Sequence, residues 1–368
     1  MKNIVFSSST AWYIFNFRKN TVLEMLESGY NVFLVSPEDE YVERLVRLGV
    51  KHINISLDRG GVNPLNDLKT ICKYYSIYRK IKPDFIFNFT PKCNIYSTIS
   101  GHFFTENIFN NISGLGSAFT KKNFVYYITF FLYYFSQKFS KKIFFQNEQD
   151  RRLFIENRIV AEEKTLRIPG SGVDLNRFHY TERSFDGGPT RFLFCGRLLY
   201  SKGAKLYVES AKILKNVFGE NVNFSLLGFI DEFSKDAISS DELTGWIRSG
   251  EIDFLGKTDD VAPILREHDC IVLPSYYPEG VPKSLLEAAS SGLAIITTDN
   301  VGCRDTVVDG ENGYLVDKKS KESLVDAMTN YILLSNDDKR KMSLYSRKHI
   351  ENNFDERIVI KMYMDLLS

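Results

Sequence analysis

Residues 270–298 contain a complete strand, loop, helix and second strand, and no other stretch constrains the fold as strongly. Cys270-Ile271-Val272-Leu273 is a short apolar run bounded by turn formers, the pattern of a strand buried on both faces. The loop Pro274–Gly280 follows, then a helical stretch from Pro282 to Ser290, a stop at Ser291-Gly292, and a second apolar run from Leu293 to Thr298. Two such runs joined by a helix read as parallel strands, which need a long crossover. Pro282 fits the first turn of the helix, where its missing N–H costs nothing. The amides of Lys283, Ser284 and Leu285 then point out of the helix start, where unpaired N–H groups and the helix dipole together hold an anion. Glu279 lies just before that start and Glu287 more than a turn inside it. A phosphate on these amides would have a carboxylate on either side. That suits a ligand with a diphosphate in the middle, a sugar at one end and a nucleoside at the other.

The rest of the chain repeats this alternation. In the first half, strands are read at 4–7, 31–35, 52–56, 85–89, 107–112, 141–146 and 164–168, and helices at 17–28, 38–48 and 65–81. In the second half, strands are read at 191–195, 222–227, 252–255, 270–274 and 294–297, and helices at 204–216, 321–334 and 337–353. Alternating elements of this kind build parallel sheets covered on both faces. The polar, turn-rich segment Tyr180–Pro189 reads as the linker. The expected domains are therefore 1–180 and 190–350, both doubly wound α/β, with a closing helix in 351–368. Two such domains facing each other leave a cleft at the carboxyl ends of their strands, where ligands bind.

A formal net charge of +1 over 368 residues gives no field that favours nucleic acid. The five cysteines, Cys72, Cys93, Cys195, Cys270 and Cys303, form no C-x-x-C pair, and they read as reduced core thiols of a cytoplasmic protein. The start Met1-Lys2-Asn3-Ile4-Val5-Phe6 enters a strand directly and has no signal-peptide form. No apolar run approaches the roughly 20 residues that span a bilayer.

A second cluster is Phe194-Cys195-Gly196-Arg197-Leu198-Leu199-Tyr200-Ser201-Lys202-Gly203, between the first strand and first helix of the second domain. Arg197 and Lys202 would sit at the strand's carboxyl end, where two fixed cations suit a diphosphate and stabilise it further as it departs. Taken alone, this loop reads equally well as a basic turn paired with surface carboxylates.

Together these motifs resemble the retaining glycosyltransferases of family 4. Glu279 and Glu287, set as E-G-V-P-K-S-L-L-E, resemble the family's E-x7-E signature, and Gly196-Arg197 with Lys202-Gly203 resembles its pyrophosphate loop. Gly170-Ser171-Gly172-Val173-Asp174 with Phe178, Asp253-Phe254-Leu255-Gly256, and Asn312-Gly313-Tyr314-Leu315-Val316 resemble its interdomain segment, base-binding strand and late strand. The resemblance implies a GT-B fold, two Rossmann-like domains facing across a cleft, with the last helix crossing back to the first domain. It places Arg197 and Lys202 on the diphosphate, Glu279 near the donor sugar's hydroxyls and Glu287 on the ribose. Gly280, Val281, Pro282, Lys283, Ser284 and Leu285 would approach sugar and phosphate, and Gly256, Lys257 and Thr258 would flank the base. No D-x-D pair occurs, which fits an enzyme without a metal or other cofactor.

Pro91–Tyr96 and Asn110–Phe119 further resemble a bacterial subgroup that extends sugars on undecaprenyl diphosphate with UDP-sugars, often UDP-GalNAc or UDP-Gal, for surface polysaccharides such as O-antigen and capsule. The resemblance puts Ser9, Thr10, Lys92, Asn94, Ser113 and Gly114 on the acceptor side. Many family members carry a His where Ser113-Gly114 stands here. None of His52, His102, His179, His268 and His349 has ligand spacing.

Within the segment 119–142, Asn123 to Phe135 are almost wholly apolar or aromatic, with Lys121 and Lys122 before them and Lys138, Lys141 and Lys142 after. The segment reads either as a helix lying in the headgroup region of an anionic bilayer or as a core helix of the first domain. A lipid-linked acceptor favours the membrane and places the chain on the inner face of the cytoplasmic membrane. The whole sequence thus reads as a retaining, metal-independent UDP-sugar-dependent transferase. A nucleotide-sugar epimerase of the same fold and a non-catalytic nucleotide-sugar-binding protein are the alternatives.

Overall fold

The computed structural model describes residues 1–57, 64–115, 124–232 and 234–367. They form two compact units, Met1–Ser171 with Arg357–Ser368, and Gly172–Glu356. The first carries β1 (Asn3–Ser7), β2 (Asn31–Ser36), β3 (Lys51–Asn54), β4 (Phe85–Phe89), β5 (Ile108–Ile112), β6 (Lys142–Phe145) and β7 (Thr165–Arg167). The second carries β8 (Thr190–Arg197), β9 (Val222–Phe229), β10 (Asp253–Gly256), β11 (Cys270–Leu273), β12 (Ala294–Thr298) and β13 (Gly313–Val316). Strand orders are β3-β2-β1-β4-β5-β6-β7 and β10-β9-β8-β11-β12-β13, and the pairings are parallel. Each order reverses once, between β1 and β4 and between β8 and β11. Ligands of doubly wound sheets bind outside the carboxyl ends at such a reversal.

Burial follows the period of two along a strand. On β1, β4 and β6, Ile4, Phe6, Phe87, Phe89 and Phe144 pack on one face, while Val5, Ile86, Ile143 and Phe145 pack on the other. Phe6 stacks on Phe87 and Phe89 at ring separations of 5.6 and 5.7 Å. The helix Glu356–Met364 belongs mostly to the first unit, where Tyr363 meets the rings of Phe87 and Phe144 at 5.5 and 4.9 Å. In the second unit the buried strand residues Phe192, Phe194, Leu226, Ile271, Leu273 and Ile295 form one core with the flanking helices.

Within the first core lies a polar seam. Tyr78 meets Ser97 (2.5 Å), and Ser97 donates to Asn88 (2.5 Å). Asn88 then donates to Asn110 (2.8 Å), and Asn110 to Gln137 (2.6 Å). Each amide is partnered, which is the condition for burying it.

Two sequence expectations need correction. The division falls at Ser171/Gly172, not within Tyr180–Pro189, because that polar segment is anchored to the second unit. Arg183, 5% exposed, donates to the carbonyls of His268 and Ser291 (2.7 Å each) and Leu265 (3.1 Å). The chain returns to the first unit at Glu356/Arg357, several residues past 351, because Val173 and Asp355 still bridge within the second. In addition, the first helix begins at Ala11, six residues before Phe17, since Thr10 caps it by accepting from the Tyr13 amide (3.1 Å). Of the five free cysteines, Cys72 is exposed.

Asp150, near the start of the helix Glu148–Glu156, is buried and accepts from Asn147 (2.9 Å), and burial pushes its carboxyl up to about 6. The unfolded value is about 4, so the native state binds the extra proton. Its contribution to stability is complete below pH 4 and is lost as pH rises through 6. Asp150→Asn, which keeps the acceptor and removes the charge, should raise stability at pH 7.5 by roughly 2–3 kcal/mol, two pKa units at about 1.4 kcal/mol each. The gain should vanish below about pH 4 in denaturant titrations at both pH values.

Candidate active site

The second sheet reverses between β8 and β11, and the two charged sequence motifs leave the carboxyl ends of these neighbouring strands. The β8 loop turns at Gly203, whose φ of +81° is left-handed and which lies against Pro274 so closely that a Cβ would overlap its carbonyl. The Ser201 carbonyl accepts the amides of Tyr276 (2.8 Å) and Tyr277 (3.0 Å), which ties the two loops together. Ser201 is held in turn by Asp236, which accepts from its amide (3.0 Å) and its hydroxyl. From β12's side, Asn300, 4% exposed, donates to the carbonyls of Ser275 (3.2 Å) and Tyr277 (2.7 Å). Gly302, at φ +78°, comes against the Gly280 carbonyl with no room for a Cβ.

This backbone framework brings the expected charges together, each with a partner. Lys202 Nζ meets Glu279 Oε1 at 2.7 Å, with the side chains only 14% and 12% exposed. Arg197 Nη1 donates to Asp231 Oδ2 at 2.9 Å and lies over the Tyr277 ring at 5.9 Å. Lys283 Nζ lies 3.7 Å from Glu287 Oε1. Ser275 Oγ donates to Glu279 at 3.3 Å. Burial raises the pKa of Glu287, with Lys283 and Arg177 drawing it back. The thiol of half-buried Cys195 is pushed up to about 12, by burial first and Glu287 next, with Lys202 opposing. Cys303 is pushed up to about 12 by burial and then by Glu279. Glu287 and Lys202 therefore act on one thiol, and Glu279 joins Lys202 directly.

The helix start differs from the sequence reading. The helix is Lys283–Ser290, and Pro282 is its extended N-cap rather than its first helical residue. The Leu285 amide donates to the Pro282 carbonyl (3.1 Å), so it is not an open anion donor, and the side chains of Leu285 and Val281 belong to the core. A tight first turn and two apolar side chains drawn into the sheet account for this. Ser284 is half-buried at the second helical position, and Gly280 and Pro282 are buried. Gly196 pairs with Gly228 inside the β8–β9 ladder. Gly256 ends β10 at φ +71°, followed by exposed Lys257 and Thr258, with Lys257 over the Phe229 ring at 5.6 Å. Asp231, Asp236, Ser275 and Asn300 escaped the sequence reading. The signal for the two aspartates was their place after β9, next to β8.

In the first unit, Ser113 Oγ follows β5 and bonds Tyr13 Oη at 2.8 Å, and Gly114 next to it has φ +99°. Thr10 is engaged as a helix cap and Ser9 is half-buried. Lys92 pairs with Asp67 at 3.3 Å. Asn94 faces inward: 1% exposed, it donates to the Asn111 carbonyl (2.8 Å) and accepts from the Asn111 amide (3.3 Å), which suits it to holding β5 rather than an acceptor. Gly116 to Phe119, Lys121 and Lys122 lie outside the described residues.

Residues 178–349 match the family described as glycosyl transferases group 1, and residues 3–147 match glycosyl transferase 4-like. The chain is 29% identical to the N,N'-diacetylbacillosaminyl-diphospho-undecaprenol alpha-1,3-N-acetylgalactosaminyltransferase of Campylobacter jejuni, over 99% of this chain and 97% of that protein. It is 25% identical to the UDP-Gal:alpha-D-GlcNAc-diphosphoundecaprenol alpha-1,3-galactosyltransferase of Escherichia coli, over 83% and 81% of the two chains. Among solved structures, Anabaena Alr3699/HepE in complex with UDP and glucose superposes with a TM-score of 0.80 at 15% identity, covering 100% of this chain and 99% of that one. The fold is GT-B.

Gly302→Ala should disturb the Glu279 loop more than the fold. A non-glycine residue in the left-handed region costs about 1–2 kcal/mol, and the added methyl must also displace the Gly280 carbonyl. Circular dichroism should stay native-like while the denaturation midpoint falls. A midpoint unchanged from wild type would mean the two loops are not held as described.

Proposed function

The chain belongs to the glycosyltransferases, a hexosyltransferase with a 4-like first unit and a group 1 second unit, and on that premise we propose that it transfers GalNAc or Gal from a UDP-sugar, with retention, to a sugar on undecaprenyl diphosphate. The observation that carries this reading is the convergence of Arg197, Lys202 and Glu279 at the reversal of the second sheet. The Campylobacter and Escherichia relatives, whose names specify undecaprenyl-diphosphate-linked acceptors, support the acceptor class. Surface polysaccharide assembly is the setting it implies.

In this reading the donor diphosphate lies along Arg197, Lys202 and the Lys283 helix start. It competes with Asp231 for Arg197 and with Glu279 for Lys202. Release of Lys202 frees Glu279 to accept hydrogen bonds from the donor sugar's hydroxyls, so one exchange of partners serves both ends of the ligand. Glu287, deeper in the helix, takes the ribose. Charge grows on the diphosphate as the glycosidic bond breaks, and the two cations stabilise that charge more than the ground state. The acceptor hydroxyl enters on the face the diphosphate leaves, and a donor phosphate oxygen takes its proton. Arg197, Lys202 and the helix dipole supply the neutralisation that a divalent ion supplies elsewhere, so no metal is required.

Arg197→Ala and Lys202→Ala should each lower kcat/KM by roughly a hundredfold to a thousandfold, the scale for loss of one charge-stabilising donor. Glu279→Gln should reduce transfer while tightening UDP itself, because Lys202 loses its competing carboxylate; calorimetry reads the affinity. Activity should persist in excess EDTA, and NMR of the product should show the donor's anomeric configuration. Unchanged turnover in both cation variants, or an inverted product, would overturn this reading.

A further inference from the structure

In the donor reading, Glu287 takes the ribose and the loop 256–260 flanks the base, yet the two stand on different elements of the second unit. One short turn ties them together. Asp174 Oδ1 accepts the amides of Asn176 (3.0 Å) and Arg177 (3.1 Å), and the Asp174 carbonyl accepts the Phe178 amide (2.9 Å). Phe178, 1% exposed, packs in the second core. Its carbonyl accepts from Ser290 Oγ (2.6 Å) and from Arg347 Nη1 (2.8 Å). Ser290 ends the helix Lys283–Ser290, which carries Glu287. The turn is therefore fixed to the Glu287 helix.

Arg177 reaches the other way from the same turn. Its Nη2 donates to the Asp259 carbonyl (3.1 Å) and to Asp260 Oδ1 (3.3 Å). Asp260 closes the loop that begins at Gly256, since its amide donates to Thr258 Oγ1 (3.1 Å). Lys257, Thr258, Asp259 and Asp260 are exposed, so the loop depends on polar ties of this kind. An exposed ion pair by itself contributes little to stability. A guanidinium that bonds a carbonyl and a carboxylate at once fixes geometry as well, because its fork is rigid.

The charge of Arg177 also bears on Glu287. Burial lifts the Glu287 carboxyl, and Lys283 of its own helix, then Arg177 from the turn, draw it back. From β8, the Cys195 thiol is pushed up to about 12 and faces Glu287 uncharged at neutral pH. We propose that Arg177 is a positioning residue for the nucleoside of the donor, holding the loop 256–260 at a set distance from Glu287. The proposal rests on the donor reading and adds a residue to it. A nucleoside must meet base loop and carboxylate together, so a fixed separation is what lets both bind it at once.

Calorimetry of the full chain with UDP tests this. Arg177→Ala should keep its circular dichroism and weaken UDP by about tenfold. With UDP-sugar the KM should rise in parallel, while kcat changes by less than about twofold. Arg177→Lys keeps the charge without the fork, so much of the affinity loss should remain. Asp260→Asn, changed at an exposed position, should weaken UDP by about threefold. The pH profile separates positioning from a merely structural loss. UDP affinity should fall as pH drops and Glu287 takes up a proton. Arg177→Ala should move that fall to higher pH, because a cation favouring the carboxylate is gone, and Arg177→Lys should restore it. If wild type binds no UDP, the donor reading fails and this proposal with it. If wild type binds UDP and Arg177→Ala binds it as tightly, or with the same pH profile, only the role of Arg177 falls.

Discussion

The Ser201 carbonyl, accepting the Tyr276 and Tyr277 amides, is the contact on which the site's geometry depends. It can form only because β8 and β11 are neighbours, although 72 residues separate Leu198 from Cys270. Parallel neighbours send their loops off the same sheet end, and an order reversal sends the following helices to opposite faces. The two loops thus meet over the gap. Asp236 and Asn300 then grip them from β9 and β12, so four strands contribute to one backbone frame.

On that frame, cation and carboxylate occur in pairs. A buried cation without a partner is costly, and a well-bonded pair relieves most of that cost. Lys202 and Glu279 are nearly enclosed, and their pairing keeps both charges compatible with burial. A ligand that brings its own anion and its own hydroxyls can replace both halves of the pair without leaving either charge alone. The first unit meets the same problem differently. Its core also buries amides and hydroxyls, joined in the chain Tyr78–Ser97–Asn88–Asn110–Gln137, which ends on the Asn94 carbonyl.

Much of this was legible in the residues. Apolar runs of four to eight located the strands, and glycine or proline marked most helix ends, because backbone geometry is decided locally. Arg197, Lys202, Glu279 and Glu287 were legible because each lies in a short motif whose spacing fits one loop. Asp231, Asp236 and Asn300 were not: each acts on a residue far away in sequence, and each is unremarkable where it stands. The Tyr180–Pro189 segment misled because its composition is that of a linker, while its anchoring comes from Arg183 reaching three distant carbonyls. Leu285 misled because the helix-start rule leaves its amide open, whereas the tight first turn closes it on the Pro282 carbonyl.

By itself, then, the sequence determined the α/β class, two doubly wound units, the parallel sheets and the four charged residues expected at the site, since periodicity and local motif chemistry suffice for these. Tertiary structure alone decided that Lys202 holds Glu279, that Arg197 holds Asp231, that Asn94 belongs to the core, and that the Phe124–Ser136 helix turns its aromatic stripe outward. For that helix the residues permitted either a core or a surface role. An all-apolar segment carries no phase to say which side faces in, and only the packing of Tyr133 and Ser136 against the rest of the unit supplies one.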